Sequence, residues 1–397
     1  MTTARLSYRL DGPPGAPVVV LSNSLGTTTK LWDAQIPELT RYFRVLRYDH
    51  RGHGLSDSPP GPYEISDLGG DLVALLDELG IEQVGVVGLS LGGMVGLWVA
   101  IHAPERVASL VLCCTAAVLP PASAWRDRAA TVRSSGTSVL AGTLFERWFT
   151  PAWRASHPDQ RERFSAMLAS CDAEGYASCC EAIASMDMSE DVGAVAAPTL
   201  VICGAEDPVV TPQAGVDLAG AIPAASLLVL GGAAHLANVE QPDRFSTALV
   251  DHFTGGEAAL GARVRRAILG DAHVDSSLEA AGPFARPWQD FLTRYAWGGV
   301  WARPGLADET RRLLTISMLV CLGRLDELEL HVRAATRSGL APEVLREVLV
   351  QCAIYAGVPA ANSAFAVASR VLADSAGDPG TCGPGSAPAS RGATREP

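Results

Sequence analysis

Residues 84–93, Val84-Gly85-Val86-Val87-Gly88-Leu89-Ser90-Leu91-Gly92-Gly93, constrain this chain more than any other stretch. An apolar run ends in a glycine-flanked serine and passes at once into a helix-period stretch reaching His102. That pattern reads as strand, sharp turn and helix. A strand apolar at every position is buried on both faces, so it belongs inside a parallel sheet with helices on either side. Gly88 and Gly92 leave room for a strained turn that lifts the Ser90 hydroxyl above the sheet. The Leu91 N–H, at the helix start, then points to where an oxyanion would form.

The surrounding sequence repeats the alternation from Arg5 to about Phe253. Strand-like runs at 17–22, 43–48, 109–114, 199–203 and 226–230 alternate with helical stretches such as 66–79, which predicts an α/β domain over 1–254 with a mostly parallel sheet. From about 119 to 195 the strands stop and helical stretches rich in Trp, Arg, Ala and Ser take over. An insertion there is expected to form a cap over the sheet. Thr254-Gly255-Gly256 ends the alternation, and 255–260 reads as a linker. Residues 261–373 then read as a small all-α domain broken at Gly282-Pro283, Arg303-Pro304-Gly305, Gly339 and Gly357-Val358-Pro359. The tail, 374–397, is Gly, Pro, Ser and Ala and is expected to be disordered; its Cys382 reads as an incidental thiol.

Composition narrows the partners. A net charge of -12 with a pI near 5.1 argues against nucleic acid or an anionic membrane. No run approaches the ~18–20 apolar residues of a membrane span, and residues 1–10 show no apolar h-region or cleavage site, so export is not expected. Nine cysteines, two adjacent pairs among them (Cys113-Cys114 and Cys179-Cys180), show neither CxxC nor Cys/His metal spacing. Reduced thiols, a cytoplasmic location, no metal and a small-molecule substrate are therefore expected.

A serine hydroxyl needs a base, and the base needs an orienting carboxylate. Just past two strand ends stand Gly204-Ala205-Glu206-Asp207-Pro208 and Gly231-Gly232-Ala233-Ala234-His235. His235 is the expected base. Asp207 is preferred to Glu206 as the acid, and Leu25 is the expected second oxyanion donor beside Leu91. His50 and His53 read as loop hydrogen-bonders, and His102 and His252 as structural. For Trp125, Arg133 and Trp148 in the cap, packing and substrate contact both stay open.

These residues resemble the α/β-hydrolase family. Tyr48-Asp49-His50-Arg51-Gly52-His53-Gly54-Leu55-Ser56-Asp57 is similar to its D-x-R-G-x-G-x-S segment, and a serine at 90 sets aside the branches that use aspartate there. Ser22-Asn23-Ser24-Leu25-Gly26-Thr27 and the cap, with Arg147-Trp148-Phe149, resemble the 3-oxoadipate enol-lactonase branch. That resemblance implies Ser-His-Asp hydrolysis of a monoanionic lactone, whose carboxylate needs a cation such as Arg133.

Lys30 is the only lysine, so the helical domain cannot form a Schiff base or anchor pyridoxal phosphate that way. It shows no phosphate loop and no metal cluster, and no cofactor is expected. Arg324, Glu327 and His331, spaced i, i+3 and i+7, would share a helix face and read by themselves as an ion-pair stripe. The segments Arg294-Tyr295-Ala296-Trp297-Gly298, Trp301-Ala302-Arg303-Pro304-Gly305-Leu306, Glu327-Leu328-Glu329-Leu330-His331 and Gln351-Cys352-Ala353-Ile354-Tyr355-Ala356-Gly357 together resemble 4-carboxymuconolactone decarboxylase. The resemblance implies a cofactor-free decarboxylation with His331 as acid, Glu327 tuning it and Arg303 clamping a carboxylate. Arg324 and Glu327 align where peroxidase relatives carry CxxC, so thiol redox chemistry is not expected, and Cys352 reads as a lone core thiol. Relatives of this domain assemble into rings, which implies a homo-oligomer through it. The two resemblances meet at one intermediate, implying a bifunctional enzyme of protocatechuate catabolism. The alternative is an esterase or cofactor-free perhydrolase carrying a non-catalytic helical oligomerisation domain.

Overall fold

The structure, a computed structural model, describes residues 3–223, 225–303 and 305–376. The chain divides into two compact units, Met1–Gly256 and Glu257–Pro397. Unit 1 holds a seven-stranded sheet: β1 (Tyr8–Asp11), β2 (Val18–Ser22), β3 (Arg44–Tyr48), β4 (Val84–Leu89), β5 (Val107–Cys113), β6 (Thr199–Gly204) and β7 (Ser226–Leu230), in the spatial order β1-β3-β2-β4-β5-β6-β7. All neighbours are parallel except β1 against β3. The edge strand β1 is absent from the runs read off the sequence. It is short, carries Arg9 and Asp11, and is half exposed, so it lacks the apolar signature of the central strands.

Burial follows strand position. Every residue of β4 is buried, and so are Val19 to Ser22 of β2. The helices around the sheet are α1 (Ile36–Leu39), α2 (Ile65–Glu78) and α3 (Leu91–His102), the cap helices α4 (Ala122–Ser135), α5 (Ala141–Trp148), α6 (Pro151–Ser156), α7 (Gln160–Ala169) and α8 (Ala173–Ser185), then α9 (Pro212–Ala221), α10 (Ala237–Glu240) and α11 (Pro242–Thr254). The α2 helix starts on a reciprocal Glu64–Asp67 capping box and buries one face through Leu68, Leu72, Leu75 and Leu76. The α3 helix is apolar nearly all round because it lies against the centre of the sheet, packed on β4 and β5. The cap sits between β5 and β6, and a single bridge between Val118 and Asp187 ties its two ends together.

Unit 2 is helical: α12 (Gly256–Leu269), α13 (Asp271–Ala280), α14 (Gly282–Leu292), a π-helical stretch Thr293–Trp301, α15 (Asp308–Leu322), α16 (Leu325–Arg337), α17 (Pro342–Ala356) and α18 (Val358–Ala376). Three expectations change. Residues 257–260 are not linker but the first turn of α12, which leaves Gly255 alone between α11 and α12, with Gly256, also at positive φ, opening α12. Further breaks fall at Gly270 and Gly323, where no neighbouring proline marks them in the sequence. Asp374 to Ala376 continue α18, while the rest of the expected tail, Cys382 included, lies outside the described residues. The core of α15–α18 is Ile316, Val320, Leu328, Val332, Leu349 and Val371 with their neighbours.

Candidate active site

Ser90 stands between β4 and α3 at φ 55° and ψ -116°, a conformation that side-chain-bearing residues avoid. The crowding that demands glycine on either side is measurable. A Cβ at Gly88 would meet the Gly92 carbonyl oxygen at 2.1 Å, and one at Gly92 would meet that of Ser22 at 2.1 Å. The strained turn is held by Ser90 N–H donating to Cys113 O at 2.9 Å and Thr115 Oγ1 donating to Ser90 O at 2.8 Å. Ser90 itself keeps a sliver of exposure, 6%.

Two loops at the ends of β6 and β7 bring Asp207 and His235 together. His235 Nδ1 lies 2.8 Å from Asp207 Oδ2, with both residues buried. The other carboxylate oxygen accepts the N–H groups of Val209 at 2.7 Å and Val210 at 3.1 Å, which fixes its orientation. Glu206 is exposed, and its backbone N–H donates to Ala233 O instead. The loops approach so closely that a Cβ at Gly204 would sit 2.0 Å from Ala234 O. Glu240 adds a brace that sequence reading missed. Its buried carboxylate accepts from the Ala234 N–H and from both N–H and Oγ1 of Thr150, tying the histidine loop to the cap. Burial raises the Glu240 carboxyl above its usual range. No hydrogen bond joins Ser90 Oγ to His235 in the described residues, a link that often closes only with substrate bound.

The loop carrying Leu25 is positioned by two buried histidines. His53 Nε2 accepts the Gly26 N–H at 3.0 Å, and His53 Nδ1 lies 3.1 Å from Arg51 O, so the proton must be on Nδ1. His50 Nε2 donates to Asn23 O at 3.0 Å. Burial lowers both imidazoles, His53 to about 4 and His50 to about 3, the latter helped by His53. The cap closes over Gly26, where an added Cβ would meet Leu168, Tyr176 and Trp148 within 4 Å. Trp148 also accepts the Leu236 N–H next to His235. It therefore roofs the space between the two loops, and Trp125 is anchored through its indole N–H to Leu119 O. Arg133 is a correction. Its guanidinium is engaged by Glu174 at 2.7 Å and Glu181 at 2.5 Å, so its charge is already neutralised. Side-chain hydrogen bonds to Glu181 and Glu174 push its pKa far up.

In unit 2 the expected constellation does not assemble. His331 is buried with its Nδ1 unpartnered, and its ring is stacked on Trp301 at 5.9 Å. Glu327 is exposed and makes no hydrogen bond to it among the described residues, because the buried face of α16 runs through Leu328, His331 and Val332. Arg324 is the cap residue before α16, not part of its face, so the three-residue stripe is absent. Arg303 is exposed and has no described contact with His331. The surroundings of His331 are cationic instead. Burial first, then Arg312 and His273, lower its pKa to about 4. Arg312 and Arg265 are buried cations whose hydrogen bonds go to neutral groups, Ala334 O and Ser338 Oγ for the first and Thr293 Oγ1 for the second, and each has an unpartnered Nε. Burial lowers the pKa of both. Cys352 is not alone, since Cys321 lies beside it, although burial is the main cause of its raised thiol. Among the described residues no His, Cys, Asp and Glu cluster is placed to hold a metal, and no helix is long and apolar enough to cross a membrane.

Comparison with known proteins matches each unit separately. Residues 17–242 fit the family described as alpha/beta hydrolase fold, and residues 286–370 the carboxymuconolactone decarboxylase family. The first unit is 44% identical to 3-oxoadipate enol-lactonase 2 of Acinetobacter baylyi, over 62% of this chain and 91% of that protein. The second is 46% identical to 4-carboxymuconolactone decarboxylase of the same organism, over 29% of this chain and 85% of that protein. Among solved structures, the enol-lactonase from Burkholderia xenovorans LB400 is 40% identical with a TM-score of 0.62, over 63% of this chain and 97% of that one.

Proposed function

Because the chain belongs to the α/β-hydrolase fold family through its first unit and to the carboxymuconolactone decarboxylase family through its second, we propose that it catalyses two consecutive reactions. Unit 2 decarboxylates 4-carboxymuconolactone, and unit 1 hydrolyses the resulting 3-oxoadipate enol-lactone to 3-oxoadipate. The observation that carries this reading is the strained Ser90 turn set at the same sheet edge as the Asp207–His235 pair. The names of the two relatives supply the substrates.

In unit 1, His235 takes the Ser90 proton as Oγ attacks the lactone carbonyl, and the oxyanion is held by the N–H groups of Leu25 and Leu91. The leaving oxygen belongs to an enol, so it departs readily and takes the proton from His235. Tautomerisation then gives the ketone, and water releases the acyl group by the same relay. Asp207 keeps His235 in the tautomer with its proton on Nδ1.

In unit 2, loss of CO2 leaves an electron pair that spreads through the ring double bond to the lactone oxygen, and the α-carbon is then protonated. Its substrate carries two carboxylates, and the buried, unpaired Arg265 and Arg312 meet the need for compensating charge. His331 delivers the proton. A neighbouring dianion reverses the depression of its pKa by favouring the charged imidazole. Homo-oligomerisation belongs to the same proposal. Phe284, Trp288, Phe291 and Tyr295 form one exposed stripe at i, i+4, i+7 and i+11, with Phe284 99% exposed.

The test is to give Ser90→Ala protein 4-carboxymuconolactone and follow CO2 and enol-lactone together. Release of CO2 with accumulation of enol-lactone is expected. A folded protein that forms neither refutes the two-step assignment.

A further inference from the structure

If unit 1 hydrolyses the enol-lactone proposed above, its substrate keeps one free carboxylate, and something near Ser90 must recognise it. We infer that Arg128, together with the Tyr176 hydroxyl, binds that carboxylate and sets the preference of unit 1 for an anionic lactone.

The cap offers several arginines, and the structure separates them by what already holds them. Arg133 lies between two glutamates. Arg163 is spent on Lys30 O and Asp33, and Arg147 donates to Pro208 O. Arg128 is half-buried on α4 and has no carboxylate partner among the described residues. Its guanidinium carbon stands 4.5 Å from the centroid of the Trp125 ring, a cation–π contact that holds the group in place without neutralising its charge.

Tyr176 supplies the independent observation. It is completely buried, and no group meets its hydroxyl in hydrogen-bond geometry, the Arg128 guanidinium being the polar group beside it. Leaving a buried hydroxyl unsatisfied costs about 1–3 kcal/mol, so such a group calls for a ligand to complete it. Burial drives its pKa far up, which keeps it a donor, and Arg128 is among the charges that offset this shift. The ring edge beside that hydroxyl is equally informative. Tyr176 Cε2 lies 3.1 Å from where a Cβ on Gly26 would be, and Gly26 follows the oxyanion donor Leu25. The hydroxyl end of the phenol thus lies near both the oxyanion loop and Arg128. In the enol-lactone the carboxylate lies roughly 5 Å from the carbonyl carbon, so it stays close to the oxyanion loop. With the carbonyl oxygen at Leu25, the carboxylate arrives where the Tyr176 hydroxyl and the Arg128 fork converge.

The experiment compares two substrates that share a ring: the enol-lactone, and α-angelica lactone, which carries a methyl group in place of the carboxymethyl arm. In the full chain, Arg128→Gln is expected to lower kcat/KM for the enol-lactone roughly 10- to 100-fold, mostly through KM, and to change the neutral lactone less than threefold. Tyr176→Phe should show a smaller loss with the same selectivity, and Arg128→Lys should recover part of it. Arg133→Gln should leave the ratio of the two substrates unchanged. Equal losses on both lactones, no loss on either, or an anion-selective loss in Arg133→Gln would each overturn the assignment. A wild-type protein that cleaves the neutral lactone but not the enol-lactone would remove the parent reading and this inference with it.

Discussion

Replacing Asp207 by asparagine removes a charge and almost no volume, and the geometry of its two oxygens dictates the consequence. One carboxylate oxygen accepts the N–H groups of Val209 and Val210, and the other faces His235 Nδ1 at 2.8 Å. An asparagine amide placed with its NH2 toward Val209 and Val210 would set donor against donor. The favoured orientation turns its oxygen to those two N–H groups and its NH2 to His235. His235 must then carry its proton on Nε2, where it cannot accept one from Ser90. In the well-characterised serine-protease triad that wrong tautomer costs about 10⁴ in kcat, or about 5 kcal/mol. The escape is to flip the amide and lose two buried hydrogen bonds at about 1–3 kcal/mol each, which caps the loss at a similar level. Enol-lactone hydrolysis should therefore fall 10³- to 10⁴-fold in kcat with KM little changed, because Asp207 does not touch substrate. Decarboxylation by unit 2 in the same sample reports that the chain is folded, and Glu206→Gln should be nearly silent. A loss below tenfold in Asp207→Asn would refute the orienting role.

The buried histidines give two further expected outcomes. His331→Gln should lower CO2 release from 4-carboxymuconolactone by about 10² or more, while hydrolysis of supplied enol-lactone stays within twofold; retained decarboxylation would move the proton donor elsewhere. For His50 and His53 the folded pKa values, about 3 and about 4, lie below the unfolded 6.5, so the unfolded chain binds protons first as pH falls. The stability they contribute is complete above pH 6.5 and is lost as pH falls through the folded values, about 2 kcal/mol per histidine by pH 5. The melting temperature of unit 1 should drop between pH 6.5 and 5, and His53→Gln should flatten that slope. Raised carboxyls at Asp49, Asp71 and Glu240 act in the opposite sense, which is why the upper half of the window is the one to read.

How much was legible from sequence depends on the range of the interactions involved. The strand, turn and helix around Ser90 are local: six apolar residues and glycines two positions to either side determine them within a dozen residues. Strand ends followed by Asp207 and His235 could be read because loops at one edge of a parallel sheet converge on the same side. The break between the units was visible in its glycines, but its length was not, since helix propensity gives no sign that α12 starts at Gly256.

What the amino-acid sequence determined by itself is the set of elements and the candidate nucleophile, because those rest on periodicity and backbone sterics among near neighbours. Tertiary structure alone decided which charges are free. Arg133 and Arg128 stand on the same helix and look equivalent as letters, yet Glu174 and Glu181, 41 and 48 residues away, occupy the first and leave the second open. Glu327 and His331 are one turn apart, but packing against the core buries only the histidine. An ionisable side chain acquires its role from what desolvates and pairs it. Those partners come from distant parts of the chain, which no local pattern encodes.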